Sequence, residues 1–225
     1  MRTEAQRPRR IWPWFVGVAA ILLAVLIGIV VTGYGPTGPP ASSPTTSPTS
    51  GSSNPGSAEP TGCLGGTVRD SAMILKAAET ANPDESGAVE VATAFVRWIQ
   101  RYPYPTADEA AEVGDAVLTD DSFTSNLPEY LAAKPDLSGG IVPAGTTYYM
   151  NTVPGVWFVE PSDASRVMVS IGSGYVIDGA LSSTLRSSIT VTLALEGERW
   201  RIADAEGTRT PDDLYQIGHP FTGGC

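Results

Sequence analysis

An uncharged apolar run near the N-terminus constrains this chain more than any other feature. Residues 11–31 read IWPWFVGVAAILLAVLIGIVV and contain no Asp, Glu, Lys or Arg. About 20 apolar residues in a helix span the roughly 30 Å hydrocarbon core of a membrane. The apolar core of a cleaved secretory signal has about 7–15 residues and ends at a small-residue cleavage site. Because Val31–Tyr34 offers no such site, we expect residues 11–31 to form a retained, single-pass transmembrane helix.

The charges that flank this run predict its orientation. Residues 1–10 contain four arginines and one glutamate, and no Lys or Arg follows the run closely. Positively charged segments beside a membrane helix stay on the cytoplasmic side. We therefore expect residues 1–10 to form a cytoplasmic basic tail, and the chain from about residue 33 onward to lie outside the cell membrane.

The segment after the predicted span has the composition of a linker. Residues 33–62 consist almost entirely of Gly, Pro, Ser, Thr and Ala. Such a segment has too little apolar surface to offset the entropy that is lost on folding. We expect residues 33–62 to be a disordered tether between the membrane and a folded extracytoplasmic domain, which then comprises residues 63–225.

The first half of that domain carries helical patterns. Apolar residues in 88–99 recur at the three- and four-residue spacing of a helix. A second helix is predicted to begin at Thr106, because Thr106 and Glu109 have the spacing of a capping box, in which each side chain accepts the other's free N–H. A shorter helix is predicted around residues 72–78.

The second half changes to the alternating pattern of strands. The predicted strands are Thr146–Met150, Val156–Glu160, Arg166–Ile171, Tyr175–Ile177, Ser187–Leu195 and Arg199–Ala203. Gly172–Gly174 is predicted to be a hairpin turn, and Glu196-Gly197 another. A final helix is expected over residues 210–217. Helices followed by antiparallel strands predict an α+β domain, with helices packed on one face of a curved sheet.

Residues suited to catalysis or metal binding are scarce. The sequence contains one histidine, His219, and two distant cysteines. This is too few for a zinc site, and a Ser-His-Asp arrangement would depend on that single histidine. The sequence has no phosphate-binding glycine loop, and the pairs Asp120-Asp121 and Asp212-Asp213 suit helix ends and solvated surface. We expect no catalytic residue, no metal site and no cofactor.

The charge of the domain argues against nucleic acid as a partner. Residues 63–225 hold ten Lys and Arg against twenty-two Asp and Glu, a net charge of −12. The phosphate backbone repels such a surface. The aromatic residues fall in helix and strand patterns, and the sequence leaves open whether they fill a core or line a pocket for an apolar ligand.

The two cysteines predict a structural bridge. Cys63 lies in TGCLGG at the start of the domain, and Cys225 ends GHPFTGGC. Both fall on the expected outer side of the membrane, where disulfides persist, and one pair allows a single intramolecular connectivity. We expect a Cys63–Cys225 disulfide that closes the domain, with intermolecular pairing as the alternative.

Several motifs together resemble those of a known protein group. They are a basic N-terminus before a Trp-Pro-containing anchor, G-C-x-G-G at Gly62–Gly66, A-x-x-F-x-R-W at Ala92–Trp98, and I-G-x-P-[FY]-[ST]-G-G-C at Ile217–Cys225. The combination resembles actinobacterial membrane-anchored proteins that are associated with integrative conjugative elements. The resemblance implies a cystatin-like cone of the nuclear-transport-factor/SnoaL kind, a shape that also recurs in inner-membrane scaffold subunits of type IV secretion machines.

These features lead to a hypothesis about function. We expect a non-enzymatic, membrane-anchored scaffold or assembly component of a conjugation or secretion-like apparatus, acting through protein contacts of its outer domain. Its partners would be conjugation machinery or further copies of the chain. The alternative is a membrane-tethered module that holds a small apolar ligand in the cone. A third is an enzyme of the ketosteroid-isomerase type, which would need an aspartate or histidine in an apolar pocket.

Overall fold

An antiparallel sheet with helices on both faces makes up the described part of the chain. The computed structural model describes residues 58–163, 165–207 and 209–225. The helices are α1 (Ser71–Thr80), α2 (Glu85–Ile99), α3 (Ala107–Val117), α4 (Leu127–Ala132) and α5 (Pro211–Ile217). The strands are β1 (Arg101–Tyr102), β2 (Tyr148–Asp163), β3 (Arg166–Ile177), β4 (Ala180–Glu196), β5 (Arg199–Glu206) and β6 (His219–Pro220).

The membrane predictions fall on another part of the chain. The expected cytoplasmic tail (1–10), the expected span (11–31) and residues 33–57 of the expected tether lie outside the described residues. Among the residues that are described, no helix is both long and apolar enough to cross a membrane.

The strands follow one another in the sheet in chain order. The order is β1-β2-β3-β4-β5, every neighbouring pair is antiparallel, and β6 adds to the edge of β2. The sheet curls into a half-barrel, and the predicted α+β class with a curved antiparallel sheet is confirmed. The predicted hairpin at Glu196-Gly197 is also confirmed, because it joins β4 to β5.

The helices predicted for residues 63–225 are present, and side chains fix their ends. The capping box of α3 is confirmed, since Glu109 N donates to Thr106 Oγ1 at 3.2 Å and Thr106 N donates to Glu109 Oε2 at 2.9 Å. Helix α2 begins three residues earlier than its apolar pattern, because the Asp84 side chain accepts from Gly87 N at 2.8 Å. The sequence patterns did not predict α4, which has a single buried residue, Leu127.

The predicted hairpin turn at Gly172–Gly174 is wrong. These residues lie inside β3, which pairs with β2 on one side and β4 on the other. A Cβ atom on Gly172 would lie 2.8 Å from side-chain atoms of Tyr215 and of Val156. Glycine at this position therefore allows α5 to approach the strand closely. Close approach of another part of the chain is one of the known reasons for glycine inside a strand.

The sheet packs helices on both of its faces, whereas the sequence predicted helices on one. Ile171 points into the apolar core that α1, α2 and α3 complete, and we call this the inner face. The next residue, Gly172, points to α5 on the outer face. Helix α5 is short, and its one buried residue, Leu214, is covered by contact with β2, β3 and β4.

Candidate functional site

The two ends of the described chain meet at the predicted disulfide. Cys63 and Cys225 are joined, with 5.7 Å between their Cα atoms and a sequence separation of 162. The segments beside them also pair, since Thr222 N donates to the Pro60 carbonyl at 3.3 Å and Gly223 N to the Thr61 carbonyl at 3.1 Å. We call residues 60–66 and 221–225, with the side chains of Glu90, Arg97 and Thr152 that hold them, the terminal clasp.

A buried glutamate fixes the first half of the clasp. Glu90 lies on α2 and is 8% exposed. Its Oε1 accepts from Thr61 N at 2.6 Å, from Thr61 Oγ1 at 2.8 Å and from Gly62 N at 3.2 Å, and its Oε2 accepts from Leu64 N at 3.2 Å. A carboxylate has about four lone-pair positions for such bonds. The charge of Glu90 is therefore compensated by backbone and hydroxyl donors of the clasp.

An arginine two helical turns further along α2 holds the same segment. Arg97 is fully buried, and it donates from Nη1 to the Gly62 carbonyl at 3.1 Å and from Nη2 to the Gly66 carbonyl at 2.9 Å. The pKa of Arg97 is lowered to about 10, mainly by burial; the nearby charge of Arg69 adds to this shift, and the charge of Glu90 opposes it. Residues seven apart share a helix face, so Glu90 and Arg97 together form one polar stripe along α2.

Thr152 and the glycines fix the second half of the clasp. The Thr152 hydroxyl donates to the Gly223 carbonyl at 2.9 Å and accepts from Cys225 N at 2.9 Å. A Cβ atom on Gly223 would lie 2.9 Å from the Thr61 carbonyl oxygen and 3.0 Å from Cys63 Sγ. The glycine is therefore needed for the two terminal segments to come within bonding distance.

The inner face of the sheet is covered by a packed apolar core. The side chains in it that are at most 1% exposed include Phe95, Trp98, Leu193, Met150, Ile171 and Ile202. They come from α2 and from β2, β3, β4 and β5, so they meet across the space between the helix and the sheet. The aromatic residues of α2, Phe95 and Trp98, therefore belong to a packed core.

A group of tyrosines lies at one end of this core, next to an exposed carboxylate. Tyr148 is buried, and burial raises the pKa of its hydroxyl above the usual range, with Tyr104 adding to the shift. Asp136 is exposed and accepts from Ser138 Oγ at 2.7 Å and from Gly140 N at 2.6 Å. The Ser138 hydrogen bonds hold the pKa of Asp136 below its ordinary value. Isomerase chemistry uses carboxyl groups in an apolar pocket, whereas Asp136 is exposed to solvent and accepts hydrogen bonds from polar groups.

The one histidine belongs to the outer edge of the sheet. His219 pairs with Trp157 in the β6–β2 ladder, and the two rings lie 4.9 Å apart between centroids. His219 thus has a packing role beside the clasp. In the described ranges, no group of three or more His, Cys, Asp or Glu side chains is arranged to hold a metal ion.

The sequence predicts the disulfide but does not identify the side chains that hold it. Arg97 belongs to the A-x-x-F-x-R-W motif, and no motif contains Glu90 or Thr152. The sequence does contain an indication of this contact. Residues 88–99 are apolar except for Thr93 and two opposite charges, Glu90 and Arg97, which are seven residues apart. Charged residues with that spacing in a helix that is buried all round indicate an internal polar contact.

Comparison of the chain with protein-family models, with characterised proteins and with solved structures gave no match. Function must therefore be argued from the domain itself. Its two most informative features are the filled inner face and the terminal clasp.

Proposed function

We propose that this chain is a non-enzymatic, membrane-anchored scaffold or assembly component whose outer domain contacts other proteins. The apolar run at 11–31 and the arginines before it support a single-pass anchor with a cytoplasmic N-terminus. The motif resemblance supports a conjugation or secretion-like apparatus as the setting. The partners are other subunits of that apparatus or further copies of the chain.

The filled inner face is the observation that carries the non-enzymatic part of the proposal. A ligand or substrate pocket in a cone of this kind would occupy the space between α2 and the sheet. Phe95, Trp98 and Ile171 occupy that space, and each is at most 1% exposed. An apolar-ligand carrier or an isomerase needs a cavity for its ligand, so the packing favours a scaffold over both alternatives.

We further infer that the domain is the cystatin-like cone of the resemblance. A helix with nearly all of its residues buried, α2, crosses the inner face of a curled antiparallel sheet. Strands β2, β3 and β4 are long and follow one another directly. Both features support the cone, and a domain of this shape carries function on its surfaces rather than in its fold.

Exposed apolar side chains give the positions at which partner contact can be tested. Leu181 is 48% exposed and Val153 is 47% exposed. Leu181 and Pro154 both lie against Gly174 on the outer face of the sheet. Glu198, in the exposed turn between β4 and β5, provides a control position outside this region.

Site-specific photocrosslinking in living cells tests the proposal. A photoreactive residue is placed at Leu181, at Val153 or at Glu198 in the full chain, and crosslinked products are identified by mass spectrometry. We expect conjugation subunits or a second copy of the chain at Leu181 and Val153, and a much weaker yield at Glu198. Recovery of no specific protein at any position on the domain would contradict the scaffold function.

The topology is tested separately. Protease added to intact cells should remove the domain and leave a membrane-bound N-terminal fragment. Protection of the domain until the cells are lysed would contradict the proposed orientation, whatever the crosslinking shows.

A further inference from the structure

The clasp lies where the N-terminal part of the chain joins the domain. The first described contacts are at Ala58, whose carbonyl accepts from Ser86 Oγ at 2.7 Å, and at Pro60 and Thr61. Residues 33–57 belong to the segment whose composition predicts a tether. With the proposed membrane anchor, any tension in that tether reaches the domain at the clasp.

Helix α1 is the first helix that such tension would pull away from the core. It follows the clasp directly in the chain, and its buried residues Met73, Ile74 and Ala77 close one side of the apolar core. A pull from the N-terminal side on an unprotected domain would first peel residues 61–66 away and then lift α1. Peeling breaks contacts one after another, so each step requires little force, and it would expose the core next to α2.

We propose that the terminal clasp is a mechanical stop that keeps α1 packed against the core while the tether is under tension. This inference rests on the proposed membrane anchoring. Two separate connections stop the peeling before it reaches α1. One is the covalent bond from Cys63 to Cys225, and the other is the set of bonds from the Glu90 carboxylate and the Arg97 guanidinium to residues 61–66.

The disulfide ends at Cys225, in a C-terminal segment that is hydrogen-bonded to β2. Cys225 N donates to the Thr152 hydroxyl at 2.9 Å. Phe221 is 6% exposed, and its N–H donates to the Gly155 carbonyl at 3.2 Å. Tension that passes through the disulfide is therefore delivered to β2, in the body of the sheet, and tension that passes through Glu90 is delivered to α2. Neither route runs through α1.

Force spectroscopy on single molecules of the full chain in detergent tests the stop. One handle is attached in the predicted tether, at Ser52, and the other at Glu198 in the β4–β5 turn. Peeling of the chain up to the start of α2 would release residues 61–84. At about 3.5 Å per extended residue, this is a first step of about 80 Å in contour length. We expect the oxidised protein to lack this step and the same protein, after reduction on the instrument, to show it.

Variants separate the two connections. In reduced protein, Glu90→Gln should lower the tension at which the first step occurs, while the matched charge change Glu79→Gln, on the exposed side of α1, should leave it unchanged. Reduction of a folded molecule avoids any dependence on whether a cysteine-free variant folds. A first step of the same length and at the same tension in oxidised and reduced protein would overturn the proposal. Since no partner is involved, that result would leave the crosslinking test of the scaffold function unaffected.

Discussion

Helix α2 has two buried faces that stabilise the domain in different ways. Phe95 and Trp98 pack into the apolar core that covers the inner face of the sheet. Glu90 and Arg97 lie on the polar stripe and bind the backbone of residues 61–66. Apolar burial is non-directional and depends on the area removed from water, whereas hydrogen bonds depend on the positions of individual atoms.

The difference shows what each face contributes. The apolar face supplies most of the favourable free energy, and many apolar side chains of similar volume would serve there. The polar stripe specifies one conformation for a short segment that has no secondary structure of its own. That conformation places Cys63 within 5.7 Å of Cys225, measured between Cα atoms. A helix can thus supply both stability and a fixed attachment point.

The largest effect is expected on the apolar face. Phe95→Ala removes a side chain that is 1% exposed, and truncation of a buried Phe typically costs about 3–5 kcal/mol of unfolding free energy. Urea denaturation of the full chain measures this loss of unfolding free energy. Ile217→Ala is the control: Ile217 is 44% exposed, and its substitution should change the unfolding free energy by less than about 0.5 kcal/mol. A loss below about 1 kcal/mol for Phe95→Ala would indicate a loosely filled interior and would reopen the pocket alternative.

Removal of the disulfide should have the next largest effect. The double variant Cys63→Ser/Cys225→Ser gives the unfolded chain back the freedom that the bridge removes, and we expect a loss of about 2–4 kcal/mol. The urea midpoint of reduced wild-type protein should match that of the variant. A thiol assay provides a second check, since the oxidised protein should have no free thiol and form no disulfide-linked dimer. Detection of such a dimer as the main species would favour the intermolecular alternative.

A smaller loss is expected from Glu90→Gln. The amide keeps the size of the side chain and one acceptor oxygen, but it removes the charge and leaves Arg97 buried without a neighbouring carboxylate. Imperfect pairing of buried donors costs about 1–3 kcal/mol. Glu79→Gln is the control, because Glu79 is exposed. Equal effects of the two substitutions would show that the polar stripe does not stabilise the clasp.

The two faces also differ in how far the sequence predicts them. The spacing of apolar residues in 88–99 predicted the helix and its burial, because amphipathic packing imposes a period of 3.6 residues. The disulfide was predicted from two cysteines in an expected oxidising compartment. The helix follows from the pattern of one segment and the disulfide from the number of cysteines and their expected compartment, so neither prediction requires knowledge of how the other segments pack.

The polar stripe depends on segments that are far apart in the sequence. A glutamate and an arginine in a helix normally lie in solvent, and only the fold shows that residues 61–66 cover them. The same limit explains the error at Gly172–Gly174. Glycines between two apolar runs usually mark a turn, and only the position of α5 against Gly172 gives the alternative reason.

A second glutamate, Glu160 on the outer face, extends the comparison to an ion pair. Arg209 donates to both oxygens of Glu160 from Nε and Nη2, and Ser170 Oγ donates to Oε1 at 2.8 Å. The Arg209 hydrogen bonds are the main reason that the pKa of Glu160 lies below its ordinary value. Unlike Glu90, this carboxylate is bound by side chains, one from β3 and one from the segment between β5 and α5.

The pH dependence of stability should reveal this ion pair. Among the four predicted changes in stability, we expect this one to be the smallest. Because the pKa of Glu160 is lower in the folded state than in the unfolded state, its contribution is complete above about pH 4.3, the ordinary glutamate pKa, and is lost as the pH falls through the folded value. Glu160→Gln should therefore reduce the urea midpoint at pH 7 and make its decline below about pH 4.3 shallower than in wild type. Glu198→Gln, in an exposed turn, should leave the shape of that decline unchanged. Parallel acid profiles for wild type and Glu160→Gln would mean that solvent screens this pair, in contrast to Glu90, whose carboxylate accepts hydrogen bonds from three backbone N–H groups.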